Sequence, residues 1–498
     1  MSATGLRVLL VNCNTPMDNL IPAGVSLLSA VLKAEGCEVR CFDTTFYRPA
    51  DFVTGDEARA MTLQVKRTNF SELGIHPKPN AAEADFRALV AQFQPDLIGF
   101  SVIECTHHLA LTLARAIADY RPEVPRIWGN VHATFAAARI IGAPEIDMLC
   151  VGEGEVAIRA LARALAAGRR PSGIPNLWIK NGGVERNALA PLVKLDDLPE
   201  QDWEIWERER FFKPMGGRIW VTGTFEMNRG CPYSCMYCVN YGLNRLYEAQ
   251  GGYFREKSIP VLVREMLDKK QRYGLEFAYL VAESFLTTTR QRLEQFADLY
   301  PEVGLPFWIE ARPESVTREK VALLERCGCE GISIGVESGS HEFRQAFMNR
   351  NIPNDRMVRA MEILAESRLR VSANNVIGFP TETRALIFET IELNRRFPRV
   401  NGVMCAIYNP YHGTRLREIA EAEGYIARDA VAGDYRKDTI MRMPHLSPEE
   451  IKGLQRTFPL YVKMPKARWP EILRAEAPTP EGDRVYAALA QEYTERHG

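Results

Sequence analysis

The decapeptide Arg229-Gly230-Cys231-Pro232-Tyr233-Ser234-Cys235-Met236-Tyr237-Cys238 places three cysteines on one short loop with the spacing C-x3-C-x2-C. Three thiolates so spaced can hold three irons of a four-iron four-sulfur (4Fe-4S) cluster and leave the fourth iron open to a small molecule. A structural zinc site is the competing reading. Zinc normally takes four ligands, commonly as two separated pairs, and no second Cys/His pair at metal spacing follows this loop. Chance clustering is the other alternative, and the surroundings of the loop bear on it.

After the loop, apolar strand-like runs alternate with amphipathic helical stretches, the pattern of repeated β-α units. Six strands are readable, near 219–226, 277–283, 306–311, 331–337, 371–378 and 402–408. In a barrel of parallel strands, chemistry gathers at the carboxyl ends, and polar residues stand there: Glu283, Arg312, and Glu337 with Ser338 after Gly335. Six strands make a partial (β/α)6 barrel of TIM type. The loop, with Tyr237 just before its last cysteine, together with Gly-Val-Glu-Ser-Gly-Ser (335–340), Ile-Gly-Phe-Pro-Thr-Glu-Thr (377–383) and Tyr-Asn-Pro-Tyr-His-Gly-Thr (408–414), resembles the radical S-adenosylmethionine (radical SAM) enzymes from about 216 to about 425. The resemblance implies a 4Fe-4S cluster on Cys231, Cys235 and Cys238, whose open iron chelates the methionine end of S-adenosylmethionine. One electron then splits the sulfonium to a 5′-deoxyadenosyl radical. It also implies cofactor contacts from Tyr237, from Glu283 to the methionine amino group, from Arg312 to the carboxylate, and from Gly335, Glu337 and Ser338 to the ribose and carboxylate. Members with a cobalamin domain commonly carry Asp-Asp where this chain has Ala282-Glu283. For each polar residue the alternative is a helix cap or a rim ion pair.

The first 170 residues carry strand-like runs at Leu6–Asn12, Glu38–Asp43, Leu97–Ile103, Arg126–Gly129 and Met148–Gly152, alternating with helices. That is the pattern of a doubly wound, Rossmann-like parallel sheet, which binds ligands beyond the carboxyl ends of its strands. Those ends hold Asn14 and Gly24 in the loop 13–24, Ser101 and Glu104, Gly129, Val131 and His132, and Gly152-Glu153-Gly154-Glu155. Together, and directly ahead of the cluster segment, they resemble the cobalamin-binding domain of the cobalamin-dependent radical SAM class, which implies cobalamin contacts from these residues. Gly152 to Ala157 also fits the dinucleotide fingerprint G-x-G-x-x-A, but it follows the fifth strand rather than the first, and its two carboxylates would repel a pyrophosphate. Loop 13–24 has Asp18 and Gly24 but no histidine to bind cobalt from below. The expectation is a base-off cofactor, with His107, His108 and His132 serving as packing or capping residues.

The four segments expected are a cobalamin-binding domain (1–170), an ordered linker (171–215) with a hairpin-like turn at Asn181-Gly182-Gly183, the partial barrel (216–425), and a small helical region (426–498). In the last, Ser447 and Pro448 open a helix, and the aromatics of 456–469 read as packing. With 62 basic and 63 acidic residues no positive field advertises nucleic acid. No apolar run approaches the roughly 20 residues of a membrane span, and the eleven cysteines suit a reducing cytoplasm. A small-molecule substrate and an external one-electron reductant of flavodoxin or ferredoxin type are the expected partners. The resemblance implies methylation of an unactivated carbon, with radical cyclisation, rearrangement or redox chemistry as the alternative. A methylthiotransferase would show a further cysteine triad in its first domain, and an electron carrier would not need two ligand-binding sheets. Tyr408, Asn409, Tyr411, Asn374 or Asn375 are candidate substrate contacts.

Overall fold

The aliphatic run Arg-Val-Leu-Leu-Val-Asn at residues 7–12 is buried almost throughout, as a central parallel strand covered on both faces must be. The structure, a computed structural model, describes residues 5–49 and 52–497. Its first sheet comprises β1 (Arg7–Asn12), β2 (Glu38–Asp43), β3 (Leu97–Ser101), β4 (Arg126–Gly129), β5 (Met148–Cys150), β6 (Leu177–Lys180) and β7 (Val184–Arg186), in the order β2-β1-β3-β4-β5-β6-β7. The first five strands are parallel and the last two antiparallel. The strand order reverses beside β1, so the loops after β1 and β3 open a crevice between them.

Residues 171–215, expected as a linker, divide between the sheets. The hairpin β6–β7 turns at Asn181–Gly183 and extends the first sheet. β8 (Phe212–Met215) pairs antiparallel with β9 (Arg218–Glu226) and edges the second. Between them the chain packs on the first sheet: Trp206 Nε1 donates to Ser26 Oγ at 2.8 Å, and the buried Arg210 donates to Thr45 Oγ1 at 2.7 Å and to the Leu20 carbonyl at 2.6 Å.

After a short ribbon of β10 (Asn228–Arg229) and β11 (Arg255–Glu256), the second sheet continues through β12 (Phe277–Val281), β13 (Phe307–Ala311), β14 (Cys329–Glu337), β15 (Arg370–Ile377) and β16 (Gly402–Ile407). Its order is β16-β15-β14-β13-β12-β9-β8, with all but β8 parallel. The open edge at β16 would present unpaired backbone groups. Two glutamines cap it: Cys405 N donates to Gln64 Oε1 at 2.8 Å, and Gln455 Nε2 donates to the Cys405 carbonyl at 3.1 Å. Gln64 comes from the long connection between β2 and β3. Gln455 lies on the helix Pro448–Lys463, whose amino end carries a capping box of Ser447 and Glu450. The aromatics Tyr461 and Trp469 stack edge-on against Phe388 and belong to the core.

The carboxyl ends of the two sheets meet at a buried joint. Glu104, just past β3, accepts from His412 N at 2.9 Å, Arg417 Nη1 at 3.1 Å and Ala432 N at 2.8 Å, all from the segment after β16. Burial alone would push its carboxyl up, but the donors from His412 and Ala432 hold it below the usual range. Phe135 fills the space left by Gly242 and Gly413, where an added Cβ would come within 2.7 and 2.5 Å of its ring.

Glu104, His132 and His412 also draw their ligand atoms within 4.8 Å of one another, as a metal site would. Arg139 Nη1 lies 3.1 Å from His412 Nε2, and a guanidinium can only donate. His412 Nδ1 lies 2.8 Å from the Glu104 carboxylate, so the imidazole is wedged between that carboxylate and the Arg139 guanidinium. The cluster is a hydrogen-bonded joint. Removing the carboxylate leaves two buried backbone donors unpaired and takes one of two carboxylates from Arg417, which keeps Glu421, so Glu104→Ala is expected to lose about 2–3 kcal/mol of stability in denaturant unfolding. A loss within experimental error would show that the joint contributes nothing.

Burial pushes His132 down to about 3 and His107 down to about 4, and the two rings contact at 3.1 Å. Unfolded, each takes up a proton near pH 6.5. The unfolded chain thus binds more protons between about pH 4 and 6.5, so this contribution is complete above about 6.5 and is lost as the pH falls. Thermal unfolding should show Tm declining from pH 7 to pH 5, with a shallower decline in His107→Gln; equal slopes would contradict the assignment.

Candidate active site at the cluster loop

The cluster loop lies between β10 and the helix Val239–Leu246, and its backbone is tied on several sides. Asn244 Nδ2 donates to the Cys231 carbonyl at 2.9 Å, Asn349 Nδ2 to the Ser234 carbonyl at 3.0 Å, and Met236 N to the Met348 carbonyl at 3.2 Å. Leu416 N in turn donates to the Met236 carbonyl at 3.0 Å. Cys231 and Cys235 are buried and Cys238 half-buried. Burial, reinforced by the Glu283 carboxylate, raises the Cys231 thiol to about 11 and the Cys238 thiol to about 12, so loading with iron displaces protons.

The donor set fits an iron–sulfur cluster. All three donors are cysteine thiols, the ligands that iron–sulfur clusters take. Arg312 Nη1 reaches Cys235 Sγ at 3.1 Å, and Asn240 Nδ2 reaches Cys238 Sγ at 3.6 Å. Hydrogen bonds to ligand sulfur are a main control on cluster potential. Arg312, expected on the sequence as a carboxylate ligand, also stacks over Tyr233 at 3.7 Å and bonds Glu314.

The remaining barrel candidates gather near the loop. Glu283, past β12, accepts from Asn240 Nδ2 at 2.9 Å, and its carboxyl is raised by desolvation and by Glu310 and Glu226. Glu337 ends β14 in the left-handed region at φ 66°, beside a register shift against β15. Arg350 accounts for that geometry. It is fully buried and donates to Glu337 Oε1 at 3.0 Å, to Tyr237 OH at 3.0 Å and to the Gly335 carbonyl at 2.7 Å. Ser338 is fully buried, and its Oγ has no hydrogen-bond partner among the described residues. Glu382 accepts from Gly378 N at 2.6 Å and Phe379 N at 3.2 Å, and burial raises its carboxyl to about 8.

Sequence reasoning missed Arg350, which sits in a polar Asn-Arg-Asn run that reads as solvated surface. It also set Asn409 and Tyr411 toward substrate. Both instead hold the following segment, Asn409 Nδ2 donating to the Asp438 carbonyl at 2.7 Å and Tyr411 OH to the Gly433 carbonyl at 2.9 Å. Asn375 is buried in a reciprocal amide pair with Asn394, and Asn374 accepts from Ser372.

In the first sheet, Asn14 Nδ2 donates to the Asp18 carbonyl at 2.7 Å and to Thr45 Oγ1 at 2.8 Å, shaping the loop after β1. Asn130 Nδ2 donates to Ser101 Oγ at 3.1 Å, which ties the ends of β3 and β4 across Gly129, and Asn130 Oδ1 caps Val131 N at 2.7 Å. A Cβ on Gly24 would meet nothing within 4 Å, so the helix Ala23–Ala34 opens freely toward the crevice beside β1. His132 and His107 are turned into the Glu104 joint, while Gly152 to Glu155 face the barrel.

The radical SAM superfamily model matches residues 225–393, and the B12-binding domain model matches residues 63–162. The chain joins a B12-binding domain to a radical SAM domain. An uncharacterized methyltransferase of Pyrococcus horikoshii is 26% identical to this radical SAM protein over 385 residues, 75% of this chain and 80% of that protein. The anaerobic magnesium-protoporphyrin IX monomethyl ester cyclase of Cereibacter sphaeroides is 25% identical over 316 residues, covering 61% of this chain but only 49% of the cyclase. The fold matches that of the radical S-adenosylmethionine methyltransferase TsrM from Kitasatospora setae, solved with cobalamin and a 4Fe-4S cluster. The TM-score is 0.61 at 19% identity, covering 91% of this chain and 81% of TsrM.

Cys327 and Cys329 are buried beside β14, away from the loop. In protein reconstituted with iron and sulfide, Cys231→Ala, Cys235→Ala and Cys238→Ala are each expected to abolish 5′-deoxyadenosine formation, whereas Cys329→Ala retains it. Normal cleavage in Cys235→Ala would overturn the ligand assignment.

Proposed function

We propose that this enzyme methylates an unactivated carbon of a small-molecule substrate, using a 4Fe-4S cluster on Cys231, Cys235 and Cys238 and cobalamin at the strand ends of the first sheet. The observation that carries the reading is the joint itself. Glu104 past β3 meets His412 and Arg417 past β16, and Asp18 past β1 meets Arg436 at 3.1 Å, so the ligand-binding ends of both sheets open onto one another. When bound there, the two groups supply a 5′-deoxyadenosyl radical from S-adenosylmethionine and a transferable methyl group.

The chain's part is to orient and to enclose. Arg350 fixes Glu337 and Tyr237 beside the cluster loop and leaves the Ser338 hydroxyl free to bond a ligand. Asn240 holds Glu283, which would meet the amino group of S-adenosylmethionine, and Arg312 donates to the sulfur of the ligand candidate Cys235. Asn14, Gly24, Ser101, Gly129 and Val131 would line or shape the crevice assigned to cobalamin, and the loop after β1 contains no histidine. A flavodoxin- or ferredoxin-type protein supplies the electron.

Supplied with reductant, cobalamin and substrate, the enzyme should convert S-adenosylmethionine both to S-adenosylhomocysteine and to 5′-deoxyadenosine, with labelled methyl appearing on the substrate. The similarity to the cyclase keeps a second outcome in view: 5′-deoxyadenosine formed with no methyl gained by the product, at saturating cobalamin, would replace methyl transfer with cyclisation or redox chemistry.

A further inference from the structure

The Gly152-Glu153-Gly154-Glu155 loop past β5 looks in sequence like a cofactor cradle, yet its polar atoms are engaged elsewhere. Glu153 Oε1 accepts from Arg229 Nη1 at 2.8 Å and from Arg255 Nη2, and Oε2 accepts from Arg255 Nη1 at 3.1 Å. Its backbone N–H donates to Tyr247 OH at 2.9 Å, and its carbonyl accepts from Asn176 Nδ2 at 2.6 Å. Glu155 Oε1 accepts from the same Arg229 nitrogen at 2.8 Å. Gly152, at φ 86°, is a glycine because of Tyr247: a Cβ there would lie 2.1 Å from the Tyr247 hydroxyl.

Apart from Asn176, which precedes β6, the partners flank the cluster loop. Arg229 stands two residues before Cys231 and is bidentate to Glu226 at the end of β9, at 3.1 Å on each oxygen. Tyr247 caps the helix that follows Cys238 and stacks on Tyr253 at 5.1 Å. Arg255 lies on β11, paired with Arg229 on β10. A single loop of the first domain therefore grips the chain on both sides of the three cysteines, through charges that are nine-tenths buried on the Glu153 side. A buried carboxylate between two guanidiniums permits little drift, since separating them leaves unpaired charge in a poor solvent.

We infer that this loop is a clamp through which occupancy of the first domain sets the geometry of the cluster loop, with Glu153 as its positioning residue. The inference rests on the proposed reading that the first sheet holds cobalamin. β5 borders β4, which in turn borders the crevice strand β3, so a ligand that orders those strand ends also orders Glu153 and, through Arg229, the approach to Cys231. Coupling of this kind is reciprocal: cobalamin should stabilise the cluster by the same factor by which the cluster tightens cobalamin.

The test measures both sides of that coupling. Cluster loss to a ferrous-iron chelator is followed by visible absorbance with and without bound hydroxocobalamin, and cobalamin affinity is measured on cluster-loaded and cluster-free protein. For the wild-type chain, the cluster should tighten cobalamin about 5-fold or more, and bound cobalamin should slow cluster loss. In Glu153→Ala both ratios should fall to near one, and Glu153→Asp should recover part of them. A loop that served only structure would lower cluster retention equally with and without cobalamin, leaving the ratios intact, and that result would overturn the clamp. Glu153→Gln, which keeps the side chain's shape but removes the charge that Arg229 and Arg255 hold, repeats the test should Glu153→Ala fail to fold. Wild-type protein that binds both groups without coupling also overturns the clamp. Wild-type protein that binds no cobalamin overturns instead the reading on which it rests.

Discussion

Buried arginines hold this molecule in working order. Arg210, Arg229, Arg417 and Arg436 have nearly inaccessible side chains, and each crosses from the barrel or its flanks to carboxylates or carbonyls at the strand ends of the first sheet. Guanidinium suits the task because it stays charged, offers several donors in a rigid fork and is weakly hydrated. These polar ties fix the outlets of the two parallel sheets against each other, beside an apolar core that runs from one sheet to the other. Their specificity is geometric, since each carboxylate is satisfied only when both sheets stand in one relation.

That relation explains why the cluster loop needs so little of its own structure. Three cysteines on a short irregular segment could settle in many ways, and most would close off the fourth iron. Here the backbone is tied to Met348, Asn349 and Leu416 from within the barrel, and the flanking Arg229 and Tyr247 are held from the first sheet. Arg350 extends the same logic to the ligand side. One guanidinium supports Tyr237, Glu337 and the Gly335 carbonyl, keeping a strained strand end in the left-handed conformation that a residue other than glycine seldom adopts.

Much of the architecture was legible in the sequence because it is local. Strand runs, the polar residues that end them and the cysteine spacing all reside within windows of about ten residues, where periodicity carries the information. The joint was not legible, because its partners are far apart along the chain. Glu104 and His412, or Asp18 and Arg436, carry no shared local signal, and a charged residue in a polar run looks solvated until its partner is placed. The same blindness affected the Gly152–Glu155 loop, whose composition resembles a ligand loop while its contacts are with arginines of the barrel. Asn409 and Tyr411 followed suit, reading as lumen residues and serving as ties for the segment behind them.

In the proposed arrangement the two sheets open onto one shared space, so that a cluster on Cys231, Cys235 and Cys238 and a cobalamin at the first sheet are near neighbours. Electron paramagnetic resonance of protein carrying both the reduced cluster and cob(II)alamin tests it most directly. The account requires magnetic interaction between the two centres, seen as broadening or splitting absent from samples carrying either one alone. Spectra that are the simple sum of the two isolated centres, in protein shown to contain both, would contradict it.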